Sequence, residues 1–316
     1  MEENNNIFVS SRGILKSCDY FPITQYSSIR QMYNYPNIEK IKNIKNPSIY
    51  VCSSAIQHFI QVFLPLIEFS FILVSGDCDE TIPDEILTQT EFNKLINDKR
   101  LKHWFCQNMT VEHEKITKIP IGLDYHTLRT RPLWGPISGC EEQEKMLTMI
   151  IKKAIPFWER KIMCYSNFHF TMDTKLGYDR KDAFNKIDKN LIYYEENRIS
   201  RLITWNKQKD YAFIVCPHGG GLDCHRNWEA LCLGCIPVVK TSNIDSLYKD
   251  LPVLIVKNWE DISIDLLTST VNEFKKKFCN DEFNMKKLLL NYWVELINNF
   301  SIISVLNPAL SLASHI

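Results

Sequence analysis

The chain has no net charge and no long uninterrupted apolar run, and each absence excludes a class of partner. Basic and acidic residues balance at 37 each, so no overall field favours nucleic acid. The most apolar stretch, residues 56–74, is interrupted by glutamine, histidine, proline and glutamate. That excludes a membrane span of about 20 apolar residues there. The sequence therefore predicts neither a nucleic-acid partner nor a membrane span.

Regular cysteine spacing is also missing. The 11 cysteines are an odd number and show no disulfide-framework pattern. The one C-x-x-C, Cys232 to Cys235, lies at an apolar helix end without a second pair, which favours core thiols over zinc ligands. Residues 1–6 are polar and lack the apolar core of a signal peptide. We expect a soluble protein in a reducing compartment, the cytoplasm.

The common nucleotide-binding fingerprints are absent as well. No GxxxxGK[ST] loop is present, which argues against a nucleoside-triphosphate hydrolase, and no GxGxxG marks a dinucleotide fold. What the chain does have is Gly219, Gly220 and Gly221 side by side, three of its ten glycines. A Gly-rich turn between a strand and a helix lets backbone N–H groups approach an anion, and the helix N-terminus adds about half a positive charge. This loop indicates a phosphate-bearing ligand.

Two β-helix-β patterns organise the 316 residues. Continuous apolar strands of this kind are typical of parallel sheets covered on both faces. The predicted strands cover residues 48–52, 69–74, 161–165, 211–216, 236–239 and 251–256, and the predicted helices 55–66, 141–157 and 282–303. The prediction is an α/β fold of two Rossmann-like domains, 1–135 and 136–316, with a linker near 126–142 and a cleft between the domains.

The helix after the glycines carries Asp223, Arg226 and Glu229 at spacings i, i+3 and i+6, which form one stripe. Asp223 is the predicted N-cap. Arg226 could hold a diphosphate with the loop amides, and Glu229, about 9 Å from the cap at ~1.5 Å per residue, could bind a ribose. The alternative is that Arg226 and Glu229 only form a surface ion pair, worth about 0.3–0.5 kcal/mol.

The run from Cys216-Pro217 through Asp223, Arg226 and Glu229 to residues 234–238 resembles the donor-binding motif of exostosin-like glycosyltransferases and their viral and algal relatives. The segment 115–124 is similar to the one that closes the first domain in many enzymes of the GT-B fold. The resemblance is specific over about residues 205–256 and looser over 105–126. Unlike the Golgi members, this protein is expected to have no membrane anchor or stem, and His218 stands where those often have another small or polar residue.

This resemblance implies a two-domain GT-B glycosyltransferase, a hexosyl- or pentosyltransferase with an acceptor-side domain 1–135 and a nucleotide-sugar-binding domain 136–316. It would move a sugar from a nucleotide-diphosphate donor to a hydroxyl of a glycan or glycoconjugate acceptor, with inversion. We expect no cofactor and no metal, because the amides, the arginine and the helix end supply positive potential. The expected donor-binding residues are Ser166, Asn167, His218, Gly219, Gly220, Gly221, Asp223, Arg226 and Glu229.

The catalytic base should come from a strand end of the first domain. The titratable candidates there are Asp77, Asp79, Asp124 and His126, of which Asp77 and Asp79 follow the clearer strand. Asp77-Cys78-Asp79 also has the DxD form that holds a divalent cation in other transferases, a weak signal in two residues.

Two alternatives to a transferase stay open at this point. One is a nucleotide-sugar-binding protein without turnover, a degraded transferase. The other is a phosphorylase or a nucleotide-sugar epimerising enzyme of the same two-domain architecture.

Overall fold

The computed structural model of the chain describes residues 3–22, 38–168 and 174–303. The chain forms two compact units, each with its own parallel sheet flanked by helices, which confirms the α/β prediction of two Rossmann-like sheets. The four-strand unit comprises the described residues of Ser11–Ile119 and Asn291–Ile316, and the five-strand unit those of Met1–Ser10 and Pro120–Leu290. The predicted domain bounds, 1–135 and 136–316, divide the chain differently and stay a prediction.

The regular elements are as follows. The strands are β1 Ser48–Cys52, β2 Phe71–Gly76, β3 Leu101–Cys106, β4 Ile116–Lys118, β5 Lys161–Ser166, β6 Ile192–Tyr194, β7 Tyr211–Val215, β8 Ile236–Lys240 and β9 Leu254–Val256. The α-helices are α1 Ser11–Ser17, α2 Ile56–His58, α3 Gln89–Ile96, α4 His126–Thr130, α5 Cys140–Ile151, α6 Tyr178–Lys186, α7 Arg201–Gln208, α8 His225–Cys232, α9 Ile264–Cys279 and α10 Leu290–Ile303.

The four-strand unit is built on parallel strands in the order β1-β2-β3-β4. Every residue of β1 and β2 is buried, as their continuous apolar runs predict. The helix predicted over residues 55–66 is present as an unbroken helical segment, but it is not one α-helix. The chain makes a 3₁₀ turn at Ser53–Ala55, then α2, a π turn at Phe59–Phe63 and a 3₁₀ turn at Leu64–Leu66. Pro65 has no N–H to donate, which prevents a continuous helix at its end.

The five-strand unit packs helices on a sheet with the order β6-β5-β7-β8-β9, all parallel. Its core joins the apolar residues of β5, β7 and β8 to Trp259, Leu267 and Val271. On α8, Trp228, Leu231 and Cys232 are buried, the last as predicted. The helix predicted over 141–157 ends at Ile151, ahead of Pro156, and the helix predicted over 282–303 begins as α10 only at Leu290.

The segment 120–124 of the five-strand unit is held by the first residues of the chain. Ser10 forms an isolated antiparallel bridge with Gly122, and the Leu123 N–H donates to the Val9 carbonyl at 2.8 Å. Gly122 has φ +67°, and a Cβ there would lie 2.2 Å from the Val9 oxygen. Only glycine fits this position, so the direction of the Gly122 carbonyl is fixed by the backbone.

Candidate functional site

The strand order of the five-strand unit locates a ligand site. From β5 the chain turns through α6 to β6 on one side, and then through α7 to β7 on the other side of β5. Numbered within the sheet, the order is 2-1-3-4-5, with its switch point between β5 and β7. Ligands of such doubly wound sheets bind at the carboxyl ends of the strands at the switch point. The residues there are Ser166, Asn167 and the loop that starts at Cys216.

The end of β5 presents an unsatisfied hydroxyl. Ser166 is 1% exposed, and its Oγ has no hydrogen-bond partner in the described part of the chain. Its neighbour Asn167 is partly exposed and donates from Nδ2 to Thr204 Oγ1 at 3.3 Å. A buried hydroxyl without a partner is uncommon in folded proteins, and a polar ligand would supply one.

The glycine loop after β7 is hydrogen-bonded to two residues of α6 and to Thr174, which precedes that helix. The His218 N–H donates to Asp179 Oδ2 at 3.0 Å, and Arg180 Nε donates to the His218 carbonyl at 3.3 Å. Thr174 Oγ1 donates to the Gly219 carbonyl at 3.1 Å. A Cβ on Gly219 would lie 2.7 Å from Arg180 Nη2, so any other residue here would displace the Arg180 side chain. These contacts fix the shape of the loop.

The His218 and Gly219 carbonyls are engaged in these contacts, whereas two backbone N–H groups of the loop are not hydrogen-bonded to any described residue. The Gly219 N–H donates to the Gly221 carbonyl at 3.1 Å. The N–H groups of Gly220 and Gly221 make no hydrogen bond within residues 3–22, 38–168 and 174–303. Helix α8 starts four residues after Gly221, and its N-cap Cys224 makes no side-chain cap bond. Two consecutive free amides next to a helix start without a side-chain cap are an arrangement that suits an anion.

The prediction that Asp223 is the N-cap of α8 is wrong, since Cys224 holds that position. Asp223 is 1% exposed and accepts hydrogen bonds from the Ile121 N–H at 2.8 Å, Trp228 Nε1 at 2.9 Å and the Tyr248 hydroxyl at 3.2 Å. Burial raises the pKa of its carboxyl to about 6, against the lowering effect of these donors. Asp223 therefore joins the start of α8 to the segment 120–124, and its carboxylate is fully engaged within the protein.

Arg226 and Glu229 do not pair with each other. Arg226 is partly exposed, its Nη1 lies 3.5 Å from the Pro217 carbonyl, and its Cζ lies 5.7 Å from the Phe168 ring centroid. Glu229 instead has its Oε1 3.7 Å from Nη2 of Arg201, with 13% of its side chain exposed. The alternative of an Arg226–Glu229 surface pair is therefore not what the structure contains.

Arg201, on α7, was missed by the sequence analysis. Its side chain is 8% exposed; Nη2 donates to Asp124 Oδ2 at 2.9 Å and Nη1 to Gln143 Oε1 at 2.9 Å. Its Cζ lies 5.2 Å from the Trp134 ring centroid and 5.6 Å from that of Trp205. The guanidinium is thus held by two aromatic rings and connects the carboxylates of Asp124 and Glu229. No local pattern around residue 201 signals this, because its partners are distant in the chain.

Asp124 and His126, two predicted bases, lie in the five-strand unit beside His225. His126 Nδ1 is 3.2 Å from Asp124 Oδ1, and the His126 and His225 ring centroids are 5.7 Å apart. Burial by itself would raise the pKa of Asp124, but His225, His126 and Arg201 with the Thr127 N–H hold that pKa below its usual value. One possible metal-ligand atom from each of Asp124, His126 and His225 lies within 4.8 Å of the other two.

The other two predicted bases, Asp77 and Asp79, lie in the four-strand unit. Asp77 is buried with φ +55°; its Oδ2 lies 3.5 Å from Arg12 Nε and its Oδ1 accepts from Ser11 Oγ at 3.3 Å. Asp79 is exposed, and its carbonyl accepts from Asn108 Nδ2 at 3.2 Å. Asp77 therefore orders the loop after β2, while Asp79 has the more accessible side chain. The role of each as a base stays a prediction.

Comparison of the chain with models of known protein families and with curated proteins finds no match. Among the helices that the structure describes, none is long and apolar enough to cross a membrane. The site is therefore interpreted from its own geometry and from the sequence resemblance given above.

Proposed function

We propose that the five-strand unit binds a nucleotide-diphosphate sugar and that the protein is a glycosyltransferase, transferring the sugar to a hydroxyl of a glycan or other acceptor. One observation carries this proposal: the switch point of the sheet collects a buried unsatisfied hydroxyl, two free loop amides, a helix start and an arginine along one edge. The two sheet-containing units are also what a GT-B enzyme requires, and we propose that fold together with the activity.

The diphosphate is assigned to the loop and the start of α8. The N–H groups of Gly220 and Gly221 and the helix N-terminus favour a bound anion. Arg226, the second residue of α8, adds a formal positive charge, and its planar guanidinium can donate to two phosphate oxygens at once. Ser166 Oγ, at the end of the neighbouring strand, would donate to the same group. This binding mode needs neither a cofactor nor a cation on the diphosphate.

The ribose is assigned to Glu229. That residue follows Cys224 by five positions, about 7 Å along the helix at ~1.5 Å per residue, a span that suits the step from a phosphate to a ribose. A carboxylate accepts hydrogen bonds from two neighbouring hydroxyls. Arg201 Nη2, at 3.7 Å from Oε1, orients the Glu229 carboxylate without replacing the hydroxyls as donors.

The transfer itself would be a single displacement with inversion. The acceptor oxygen forms a bond to the anomeric carbon as the bond from that carbon to the diphosphate oxygen breaks. The acceptor's proton goes to a base, and the nucleoside diphosphate leaves with the electron pair. The loop amides, the helix end and Arg226 would stabilise the charge that develops on the leaving diphosphate. The base is one of the four predicted residues, Asp77, Asp79, Asp124 and His126.

A panel of nucleotide sugars and nucleoside diphosphates tests the proposal. A donor that binds the native state must raise the melting temperature by mass action. Incubation of the stabilising donor with acceptor glycans, followed by product analysis, then separates transfer from the alternatives. A stabilising donor that yields no product supports a binding protein without turnover, and an altered free sugar nucleotide supports an epimerising enzyme. No shift with any nucleotide contradicts the proposal.

A further inference from the structure

We infer that Asp124, His126 and His225 form a binding site for a divalent zinc-like cation in the five-strand unit. One ligand atom from each residue lies within 4.8 Å of the other two. Tetrahedral zinc bonds of about 2.0–2.2 Å bring ligand atoms to within roughly 3.5 Å of one another, so closure requires movements of about 1 Å. Asp124 Oδ1 and His126 Nδ1 are already 3.2 Å apart.

The ligand types select the class of cation. Imidazole nitrogen together with one carboxylate oxygen suits zinc and its neighbours in the transition series, whereas magnesium and calcium prefer all-oxygen sites. Three protein ligands leave a position for a fourth ligand on a tetrahedral ion.

The second nitrogen of His225 and the second oxygen of Asp124 are hydrogen-bonded to other protein groups. In known metal sites, such hydrogen bonds orient the ligands. His225 Nδ1 lies 2.7 Å from the Gly122 carbonyl, which fixes the ring and directs Nε2 away from that contact. Asp124 Oδ2 accepts from Arg201 Nη2 at 2.9 Å, and Oδ1 accepts from the Thr127 N–H at 2.9 Å with a second lone pair that can bind the ion. The Gly122 carbonyl is itself fixed, because that residue has φ +67° beneath Val9.

The charges around the cluster also favour a cation. The carboxylates of Asp124 and Glu229 lie around the single guanidinium of Arg201, at 2.9 Å and 3.7 Å. Two carboxylates and one guanidinium give these three residues a formal charge of −1. Burial of an uncompensated charge is costly, with Asp124 only 3% exposed at its side chain, and a bound cation removes that cost.

The site goes beyond the proposed function, and its occupation would use Asp124 and His126 as ligands and leave Asp77 and Asp79 as the candidate bases. No metal is expected from the sequence, and the proposed donor-binding mode uses none. A cation here would join His225, the first residue of α8, to Asp124 and His126 at the start of α4. It would therefore stabilise the position of the donor-binding helix rather than contact the diphosphate.

Metal titrations of the chelator-treated full chain test the site, with Zn²⁺ and Co²⁺ as the probes. We expect one ion per chain, a higher melting temperature with Zn²⁺, and a Co²⁺ absorption spectrum without thiolate bands. His126→Ala and His225→Ala should each weaken binding by more than about 100-fold, beyond the 10–100-fold seen when an outer partner is lost. His113→Ala is the matched control, since His113 is exposed in the four-strand unit.

Free thiols are the competing ligands, and Cys279 is exposed. Thiolate bands in the Co²⁺ spectrum would assign the ion to cysteines and overturn the inference. Equal affinity in both histidine variants and the wild-type chain would overturn it too, as would the absence of Zn²⁺ binding. His126→Gln and His225→Gln repeat the test with similar side-chain size, and circular dichroism of each variant separates loss of the site from loss of the fold.

Discussion

Replacing Arg201 by methionine should destabilise the metal-free protein by about 3–5 kcal/mol, the cost of breaking a buried ion pair by removing one partner. Methionine keeps an unbranched apolar stem between Trp134 and Trp205 but supplies no donor. Asp124, with 3% of its side chain exposed, would then lose the charge 2.9 Å from its Oδ2. Burial would then act on that carboxylate without the guanidinium that is hydrogen-bonded to it.

The assay is urea denaturation at neutral pH in the presence of chelator, for the two single variants Arg201→Met and Asp124→Asn and for the double variant. Because the two residues are in direct contact, the double variant should lose less stability than the sum of the single losses, by about 1–3 kcal/mol. Arg198→Met is the matched control. Arg198 is exposed, and its replacement should change the unfolding free energy by no more than about 0.5 kcal/mol.

A loss below about 1 kcal/mol for Arg201→Met, or single losses that add without coupling, would refute this reasoning. Either result would mean that the guanidinium does not compensate Asp124. The link from Arg201 to Glu229, and with it the proposed orientation of the ribose-binding carboxylate, would then have no support.

Three further predictions concern the surrounding residues. Burial raises the pKa of Asp223 from 3.8 to about 6, so the stability that this residue contributes is complete below pH 3.8 and is lost as the pH rises through 6. At ~1.4 kcal/mol per pKa unit, the unfolding free energy of the wild type relative to Asp223→Asn should fall by about 3 kcal/mol across that range in denaturant titrations. A difference between the two proteins that does not change with pH would contradict the raised pKa. Gly122→Ala, with a Cβ 2.2 Å from the Val9 oxygen, should lower the unfolding free energy by at least about 2 kcal/mol, whereas Gly139→Ala, with open space around it, should have little effect. Asp79→Asn should leave donor affinity unchanged with or without Mn²⁺ in calorimetry; weaker binding that Mn²⁺ restores would instead make Asp77-Cys78-Asp79 a metal site.

Much of the fold could be predicted from the sequence because the signals are local. The apolar runs of β1, β2, β5, β7 and β8 are continuous and bounded by turn residues, and the glycines mark the loop after β7. The run over residues 55–66 was predicted as one helix because its apolar pattern hides the π turn and the effect of Pro65. β3, β4 and β6 were missed: β4 and β6 have only three residues each, and β3 follows the charged residues 98–100 and carries Lys102.

The site was only partly predictable, because its decisive contacts are long-range. Arg201 and Asp124 are 77 positions apart, and His225 meets the Gly122 carbonyl 103 positions away. Asp223 has the residue type of an N-cap, but its burial against Trp228 and Tyr248 decides its role instead. His225 follows the glycine loop directly, and its position at the helix start is the one signal that could have drawn attention to it.

Calorimetric titration of the protein with the nucleoside diphosphate selected by the nucleotide screen tests the central claim most directly. We expect Glu229→Gln to weaken binding by about 1.5–3 kcal/mol, the range for a lost charged hydrogen bond, and Arg226→Lys to weaken it through loss of the planar fork. The matched controls Glu196→Gln and Arg198→Lys, at exposed positions of the same unit, should bind as the wild type does. Unchanged affinity in both Glu229→Gln and Arg226→Lys would contradict a donor site on α8.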